Sequence, residues 1–277
     1  MITMINGVPA FVKWAGGKKQ IINQLKDYFP KKINRYFDPF VGGGAVAFYV
    51  IKTYSPNEIY ISDINEDLII TYKAIKKDVE SLIKKLDWYK SKHSKTFYYE
   101  TRSLNPENMS DLDRAARFIY LNKTCFNGLY RVNSNGRFNV PIGSYKTPYI
   151  YDEKDLREIS KLLKNATIEV KQFYCIENYV KSGDFIYFDP PYYPVSGTSN
   201  FTAYTKDGFF ENEHKRLAAL FYNLDKKGAN VMMSNSDTRF IRNLYKNYNI
   251  YLVKAKRSIN SDSSGRGKIN EIVITNY

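Results

Sequence analysis

The sequence has few cysteines, few histidines and no long apolar run, and each shortage excludes a class of protein. Its two cysteines, Cys125 and Cys175, are too few for a disulfide framework, so we expect a reducing, cytoplasmic location. Its two histidines, His93 and His214, stand in no Cys/His spacing typical of zinc, so we expect no metal site. No apolar run reaches the roughly 18 residues of a membrane span, and the N-terminus lacks a signal-type apolar core. These shortages predict a soluble protein.

Acidic residues are also in short supply. The chain has 28 Asp and Glu against 42 Lys and Arg, which gives a net charge of +14 over 277 residues. Such an excess favours a polyanionic partner through counterion release, although it says nothing about sequence choice. Aromatic residues reach 16%, which suits base stacking. A lysine-rich surface and a tyrosine-rich core without a nucleic-acid role are the alternative interpretation.

Strand and helix patterns alternate at both ends of the chain, which predicts an α/β fold with a mostly parallel sheet covered on both faces. The predicted strands are Arg35–Asp38, Glu58–Asp63, Thr167–Val170, Asp184–Phe188, Ala229–Met233, Ile250–Lys254 and Ile269–Thr275. The predicted helices in these parts are 45–51, Glu211–Leu224 and Arg239–Tyr248. No helix separates the last two strands, so we expect an antiparallel hairpin at the sheet edge. The basic loop between them, 256–268, is either merely mobile or contacts phosphates.

The middle of the chain loses this alternation. Helical spacing of apolar residues predicts one helix from Asp67 to about Leu86, within a mainly helical stretch that ends near residue 165. An Asn-Gly pair ends Asn133–Gly136, between Leu129–Val132 and Arg137–Val140, and predicts a β-hairpin because both turn residues tolerate positive φ. We therefore predict one domain from residues 1–66 and 166–277, with an inserted domain at 67–165.

Two motifs follow predicted strands and point to a nucleoside. Asp38-Pro-Phe-Val-Gly-Gly-Gly-Ala45 is a glycine loop at the carboxyl end of a strand, but it matches neither a dinucleotide nor a P-loop pattern. Asp63 ends the next strand, where a carboxylate can accept hydrogen bonds from ribose hydroxyls. Each signal alone is weak, since a glycine turn is more often only a turn. Together they favour a nucleoside ligand.

Asp189-Pro-Pro-Tyr192 is the sharpest signal, because it follows a strand that reads as buried. Two prolines hold a rigid turn that would aim the Asp189 carboxylate and the Pro190 carbonyl at one point. Two acceptors there suit an amino group, and Tyr192 offers a flat face for a base drawn out of its helix. A purely structural Pro-Pro turn is the alternative. Near the N-terminus, Trp14 and Lys18 belong either to an ordinary strand and turn or to the same pocket, where Trp14 would pack on the ligand.

These motifs occur in the order of the Dam family of adenine-N6 DNA methyltransferases, the alpha group, and the chain resembles that family over nearly its whole length. The likeness extends to Leu121-Asn122, Phe126–Arg131, Phe138–Gly143, Asn200–Tyr204 and Arg257–Asn260. The resemblance implies a Rossmann-like class I methyltransferase fold with a target-recognition domain inserted between the glycine loop and the catalytic motif. It also implies methyl transfer from S-adenosyl-L-methionine to N6 of adenine in double-stranded DNA, within GATC, by base flipping. We further expect the enzyme to belong to a restriction-modification system, with a cognate endonuclease as its functional partner. A methyltransferase that acts without a partner nuclease is the alternative.

The resemblance also implies the site residues. The catalytic residues would be Asp189, Pro190 and Tyr192. The cofactor would contact Trp14, Lys18, Phe40, Gly42, Gly44, Asp63, Gln172, Phe173 and Asp189, although Gln172 departs from a position that is often acidic in the family. The DNA would contact Lys13, Phe126, Asn127, Leu129, Arg131, Pro141, Tyr145 and Arg257.

Each DNA contact has an expected role. Arg131 would read a guanine, Lys13 the first guanine, and Leu129 with Pro141 the thymine edge. Phe126 would wedge into the stack, and Tyr145 would contact the backbone.

The sequence leaves three alternative interpretations of the function. The same pocket logic serves methylation of the cytosine N4 amine or of an RNA adenine. A DNA-binding regulator that has lost catalysis is a candidate from another class. The presence of every expected catalytic residue argues against it. A nicotinamide oxidoreductase fits neither the glycine pattern nor Pro-Pro-Tyr. No dedicated strong base is visible, and direct transfer to the amine requires none.

Overall fold

The computed structural model describes residues 7–195, 209–256 and 268–277, and a seven-stranded sheet forms its centre. The strands are β1 (Arg35–Asp38), β2 (Glu58–Asp63), β3 (Ala166–Val170), β4 (Phe185–Phe188), β5 (Asn230–Ser236), β6 (Asn249–Lys256) and β7 (Lys268–Thr275). Their order is β3-β2-β1-β4-β5-β7-β6. Strands β1 to β5 are parallel, and β7 is antiparallel to both β5 and β6. The predicted mostly parallel sheet with an antiparallel edge is therefore confirmed.

The sheet is covered on both faces, and its middle strand, β4, is apolar at every position. All four residues of β4 are buried. Since successive side chains point to opposite faces of a strand, Tyr36 joins one hydrophobic cluster and Phe37 the other. Because helices cover both faces of a parallel sheet, a ligand can reach it only at the ends of the strands. Polar residues at the strand termini therefore define the site.

The helices are α1 (Ile22–Leu25), α2 (Ala45–Tyr54), α3 (Glu66–Lys77), α4 (Val79–Lys92), α5 (Lys95–Ser103), α6 (Asp111–Thr124), α7 (Glu153–Leu162), α8 (Glu211–Lys226) and α9 (Arg239–Leu244). Helix α3 packs against β2 and β3 and α8 against β5, whereas α4 and α5 pack against α6. The stretch 67–165 is mainly helical, as expected. None of the helices in the described parts of the chain is long and apolar enough to cross a membrane.

Two of the predicted helices extend two or three residues further than expected, to Tyr54 and to Lys226, and the other two differ more. The single helix expected over 67–86 breaks at Asp78, whose φ is −156° and whose side chain accepts a hydrogen bond from the Ser81 backbone N–H. Asp78 thereby caps a new helix, which apolar spacing alone does not reveal. The last helix ends at Leu244 instead of Tyr248, because Tyr245 leaves helical geometry and packs its ring 5.2 Å from that of Phe221.

The hairpin around the Asn-Gly pair is present but differs from the prediction. Only an isolated bridge joins Val132 to Phe138, and Gly136 has a positive φ of 74° while Asn135 does not. The turn spans three residues, because the Asn133 N–H donates to the Arg137 carbonyl at 2.9 Å. The Asn133 side chain accepts from two backbone N–H groups of the turn, each at 3.0 Å, which favours this longer form.

The inserted stretch does not have a separate core. One hydrophobic cluster contains Tyr36 and Phe185 from the sheet together with Leu82 and Tyr120 from the insertion. A division into domains at residues 66 and 166 therefore remains a proposal about sequence organisation. Physically, the insertion is fixed to the sheet by shared packing.

We expect Gly44→Ala to lower the free energy of unfolding by about 3 kcal/mol or more. Gly44 has a φ of 76°, and an added Cβ would overlap the Tyr72 hydroxyl and lie 2.8 Å from the Phe48 ring. Gly136 is the matched control, since its φ is 74° but no atom lies within 4 Å of its Cβ position. Gly136→Ala is expected to lower the free energy of unfolding by only about 1 kcal/mol. Urea unfolding of both variants measures the difference, and equal losses would contradict the packing argument.

Candidate active site

Three aspartates lie at one edge of the sheet, where parallel strands end. Asp38 ends β1, Asp63 ends β2 and Asp189 follows β4, and β1 lies between the other two strands. The pKa of Asp38 is raised to about 8, first by burial and then by the charges of Asp189 and Asp63. The Tyr36 hydroxyl donates to Asp38 at 2.9 Å, which opposes this rise. The motifs that the sequence placed after separate strands thus converge.

The glycine loop follows Asp38 and is held from three sides. The Gly42 N–H donates to Asp63 Oδ2 at 3.1 Å, and the Tyr72 hydroxyl donates to the Gly42 carbonyl at 2.9 Å. Trp14 packs directly on the loop, because a Cβ at Gly42 would lie 2.8 Å from the indole nitrogen. Side chains larger than hydrogen would displace the indole, so the close approach explains the glycine.

Lys18 connects the N-terminal segment to the turn Asp189–Tyr192. Its side chain is 3% exposed, and its Nζ lies 2.7 Å from Asp189 Oδ1. The same Nζ donates to the Gly16 carbonyl at 2.6 Å and lies 4.6 Å from the centre of the Tyr192 ring. Because Trp14 covers the glycine loop only four residues earlier, one short segment touches both halves of the site.

The site has more negative than positive charge. The pKa of Asp189 is raised to about 6, because burial and the charge of Glu271 together outweigh the lowering effect of Lys18. Burial also raises the pKa of Asp63, although backbone N–H groups of Asn65 and Gly42 partly stabilise its charge. Lys18 supplies one positive charge against these carboxylates. The pocket therefore suits a ligand that carries positive charge, in contrast to the basic protein as a whole.

An aromatic wall borders the glycine loop. Phe40 stacks on Phe173 with ring centres 5.3 Å apart, and Phe209 meets Phe40 edge-on at 5.7 Å. Phe173 begins a 3-10 helix after β3 and is buried, whereas Gln172 just before it is exposed. This wall can hold a planar ring next to Asp63.

The sequence did not predict the residues that bind Tyr192 and Tyr193, at the end of the Asp189–Tyr192 turn. The Tyr192 hydroxyl donates to Glu271 Oε2 on β7 at 2.7 Å. The Tyr193 N–H donates to Asn235 Oδ1 at 3.2 Å, and Ser236 Oγ donates to the Tyr193 carbonyl at 2.6 Å. No local signal marks these residues, because strand pairing brings them from 40 to 80 positions away in the sequence.

The predicted DNA contacts lie near one another beside this cleft. Lys13 Nζ donates to the Tyr145 hydroxyl at 3.0 Å and lies over its ring. Phe126 is 46% exposed, and its N–H donates to the Pro141 carbonyl at 2.9 Å. Pro141 is also exposed. These residues are thus joined by the Lys13–Tyr145 and Phe126–Pro141 contacts.

Buried Asn122 ties these two contacts together. Its Oδ1 accepts from the Lys13 N–H at 2.7 Å, and its Nδ2 donates to the carbonyls of Lys13 and Gly128 at 2.9 and 3.1 Å. Asn122 is 1% exposed, so these bonds form away from water. The turn at Phe126–Gly128 and the N-terminal segment thus form one unit.

The remaining predicted DNA contacts have different surroundings. Arg131 is exposed, and its Nε donates to Asn139 Oδ1 at 2.7 Å. Asn127 is exposed with a positive φ of 54°. Leu129 is half-buried and packs against the core, so only part of its side chain faces solvent. Arg257, like the stretch Asn200–Tyr204, lies outside the described residues.

Comparison with known proteins gives one family and close relatives. Residues 14–259 match the D12 class N6 adenine-specific DNA methyltransferase family. The type II methyltransferase M.MjaIII of Methanocaldococcus jannaschii is 47% identical, over 98% of this chain and 99% of its own. The type II methyltransferase M1.LlaDCHI of Lactococcus lactis is 42% identical, over 96% and 95%. The DNA adenine methylase of Escherichia coli K12 is 34% identical, over 95% and 94%.

We expect Asp38→Asn to become more stable relative to the unaltered protein as the pH rises from about 4 to about 8. The folded protein raises the pKa of Asp38 from its usual 3.8 to about 8, so the unfolded chain loses this proton first and unfolding is favoured as pH rises. The relative gain is up to about 1.4 kcal/mol per pH unit and ends above the folded pKa. Urea unfolding at pH 5 to 9 measures it, and a difference independent of pH would contradict the buried ionisation.

Proposed function

This chain belongs to the D12 class of N6 adenine-specific DNA methyltransferases, and we propose that it takes the methyl group from S-adenosyl-L-methionine and modifies adenine within GATC of double-stranded DNA. The adenine is turned out of the duplex to reach the pocket. The contact between Lys18 and Asp189 carries the proposal, because it brings the N-terminal segment, the glycine loop and the catalytic motif to a single cleft.

The residues of the cleft fit this cofactor in charge and shape. S-adenosyl-L-methionine supplies, when bound, an electrophilic methyl group on a sulfonium, and it also carries an ammonium, a carboxylate and an adenosine. Burial is the first cause of the raised pKa values of Asp38, Asp63 and Asp189, and a cationic ligand beside these carboxyl groups would favour their charged forms.

Individual residues would hold separate parts of the cofactor. Lys18 would pair with the cofactor carboxylate. Asp63 accepts from two backbone N–H groups and retains lone pairs for ribose hydroxyls. Phe40 and the loop with Gly42 and Gly44 would lie beneath the cofactor, Trp14 would pack on it, and Gln172 and Phe173 would border its adenine.

The chain's own chemistry is to prepare the target amine. The lone pair of adenine N6 is delocalised into the ring, which makes the amine a poor nucleophile. Asp189 and the Pro190 carbonyl would accept its two N–H bonds, localise the lone pair and fix its direction towards the methyl group. Tyr192 would stack on the base. The proton leaves after transfer, so the site needs no stronger base than these acceptors.

Recognition would come from the predicted DNA contacts. Arg131 would read a guanine through two hydrogen bonds, and Lys13 would address the first guanine. Pro141 and the exposed part of Leu129 would contact the thymine. Three further side chains would act beside them: Phe126 and Asn127 at the flipped base, and Tyr145 on the backbone. Arg257 would hold a phosphate.

We also propose that the enzyme protects DNA in a restriction-modification system. Two relatives, at 47% and 42% identity over nearly the whole chain, are named type II methyltransferases. A cognate endonuclease with the same recognition sequence would then be its functional partner.

We expect Asp189→Ala to lower methyl transfer by roughly 1000-fold or more, because the amine loses its charged acceptor. Binding to DNA should largely persist, since phosphate contacts dominate affinity. Mass analysis of nucleosides after incubation with DNA and cofactor measures transfer, and fluorescence anisotropy measures binding. The control is Asp237→Ala, which removes a carboxylate from an exposed ion pair with Arg242. Retained turnover in Asp189→Ala would contradict the mechanism, N4-methylcytosine as product would identify another target base, and no transfer by the unaltered protein would indicate a DNA-binding regulator.

We expect the unaltered enzyme to protect GATC sites from a nuclease that is blocked by methylation there, but not from one that tolerates it. Arg131→Ala should lower kcat/KM on GATC by roughly 10- to 100-fold and relax specificity at one base pair, since a bidentate contact contributes about 1–3 kcal/mol. Arg137→Ala removes an exposed arginine from the same hairpin and serves as the charge control. Equal losses in the two variants would show a charge effect only.

A further inference from the structure

The ring of Tyr192 is held at both of its ends. Its hydroxyl donates to Glu271 Oε2 at 2.7 Å, and both residues are only partly exposed. At the other end, the backbone of the next residue, Tyr193, is bound to Asn235 and Ser236 of β5. Glu271 lies on β7 opposite Ser236, so both anchors stand on adjacent strands of the same sheet. The ring therefore has a rigid support on each side.

One further contact limits the ring's freedom. Lys18 Nζ lies 4.6 Å from the ring centre, over one face. With the hydroxyl bound and this face covered, rotation of the ring about its side-chain torsions would break the bond to Glu271. A ring that is already fixed loses little further conformational entropy when a base stacks on it.

Apart from its bond to Tyr192, the charge of Glu271 is unfavourable for the neighbouring carboxylate. Its charge raises the pKa of the nearby Asp189, in a site that already has an excess of carboxylates. Burial raises the pKa of Tyr192 well above its usual value, so the hydroxyl stays protonated and remains a donor. A charged acceptor forms a stronger hydrogen bond than a neutral one, and this bond is the favourable interaction that Glu271 makes with the motif.

We propose that Glu271 is a positioning residue, which fixes the Tyr192 ring in the orientation that receives the flipped adenine. This inference rests on the proposed function, in which Tyr192 stacks on the target base. Glu271 itself touches neither base nor cofactor in this proposal; it acts through the tyrosine hydroxyl.

Three variants remove or keep the bond. Glu271→Ala and Tyr192→Phe break it from either side, and each should lower kcat by roughly 10-fold. The double variant should be no slower than the worse single variant, because only one bond is lost. Glu271→Gln retains an oxygen acceptor and should stay within about twofold of the unaltered enzyme.

The chain offers a matched control pair. The Tyr60 hydroxyl donates to Glu58 Oε2, also at 2.7 Å, but Glu58 begins β2 at the opposite end of the sheet from the cleft. Glu58→Ala and Tyr60→Phe should therefore leave kcat unchanged. A spectroscopic readout separates positioning from general destabilisation: with 2-aminopurine at the target position, Glu271→Ala should alter the emission of the flipped base, while cofactor affinity stays the same.

The outcomes are distinct. Loss in Glu271→Ala with rescue by Glu271→Gln and a non-additive double variant supports the proposal. If the unaltered enzyme transfers methyl groups but Glu271→Ala is equally fast, or if Glu271→Gln is as slow as Glu271→Ala, the role of Glu271 is refuted and the enzyme's function stands. Additive losses, or an unchanged 2-aminopurine signal, also refute it. Failure of the unaltered protein to transfer any methyl group would refute the function and this inference together.

Discussion

The ion pair between Lys18 and Asp189 is the interaction on which the rest of the site depends. The buried Lys18 ammonium lies 2.7 Å from Asp189 Oδ1 and offsets negative charge where several aspartates share a cleft. The same N-terminal segment packs Trp14 on the glycine loop and brings Lys18 to the residue that follows β4. The parts of the cleft that come from distant stretches of sequence are thus assembled around one charge contact.

Charge is distributed in opposite senses outside and inside the molecule. The whole chain carries +14, whereas the cleft holds carboxylates whose pKa values are raised. A polyanion is attracted to the exterior, and a cation is accommodated in the interior. The segment from Lys13 to Lys18 passes between the two regions, with Lys13 at the surface and Lys18 buried. Under the proposed function, the exterior would attract DNA, and the cleft would favour the cationic methyl donor.

The sequence allowed prediction of those features that local residue patterns encode. The glycine loop, Asp63 and Asp189 each follow a strand directly, so parallel strand order brings them together without further information. The break at Asp78 could not be predicted from apolar spacing, because a side-chain cap decides it. Glu271 was missed for another reason: β7 inserts between β5 and β6, and nothing local in its sequence reveals that pairing. The high pKa of Asp38 follows from burial among other carboxylates, which only the assembled structure reveals.

The bonds of Asn122 have a mechanical consequence. They join the N-terminal segment to the turn at Phe126–Gly128, and a common hydrophobic core joins both to the sheet. Under the proposed function, these bonds restrain the distance from the base-reading side chains to the reacting centre. Most of the deformation needed to bring an adenine into reach would then be made by the duplex. DNA that is already distorted or easily unstacked at the target should be the better substrate, because the protein has little compliance to contribute.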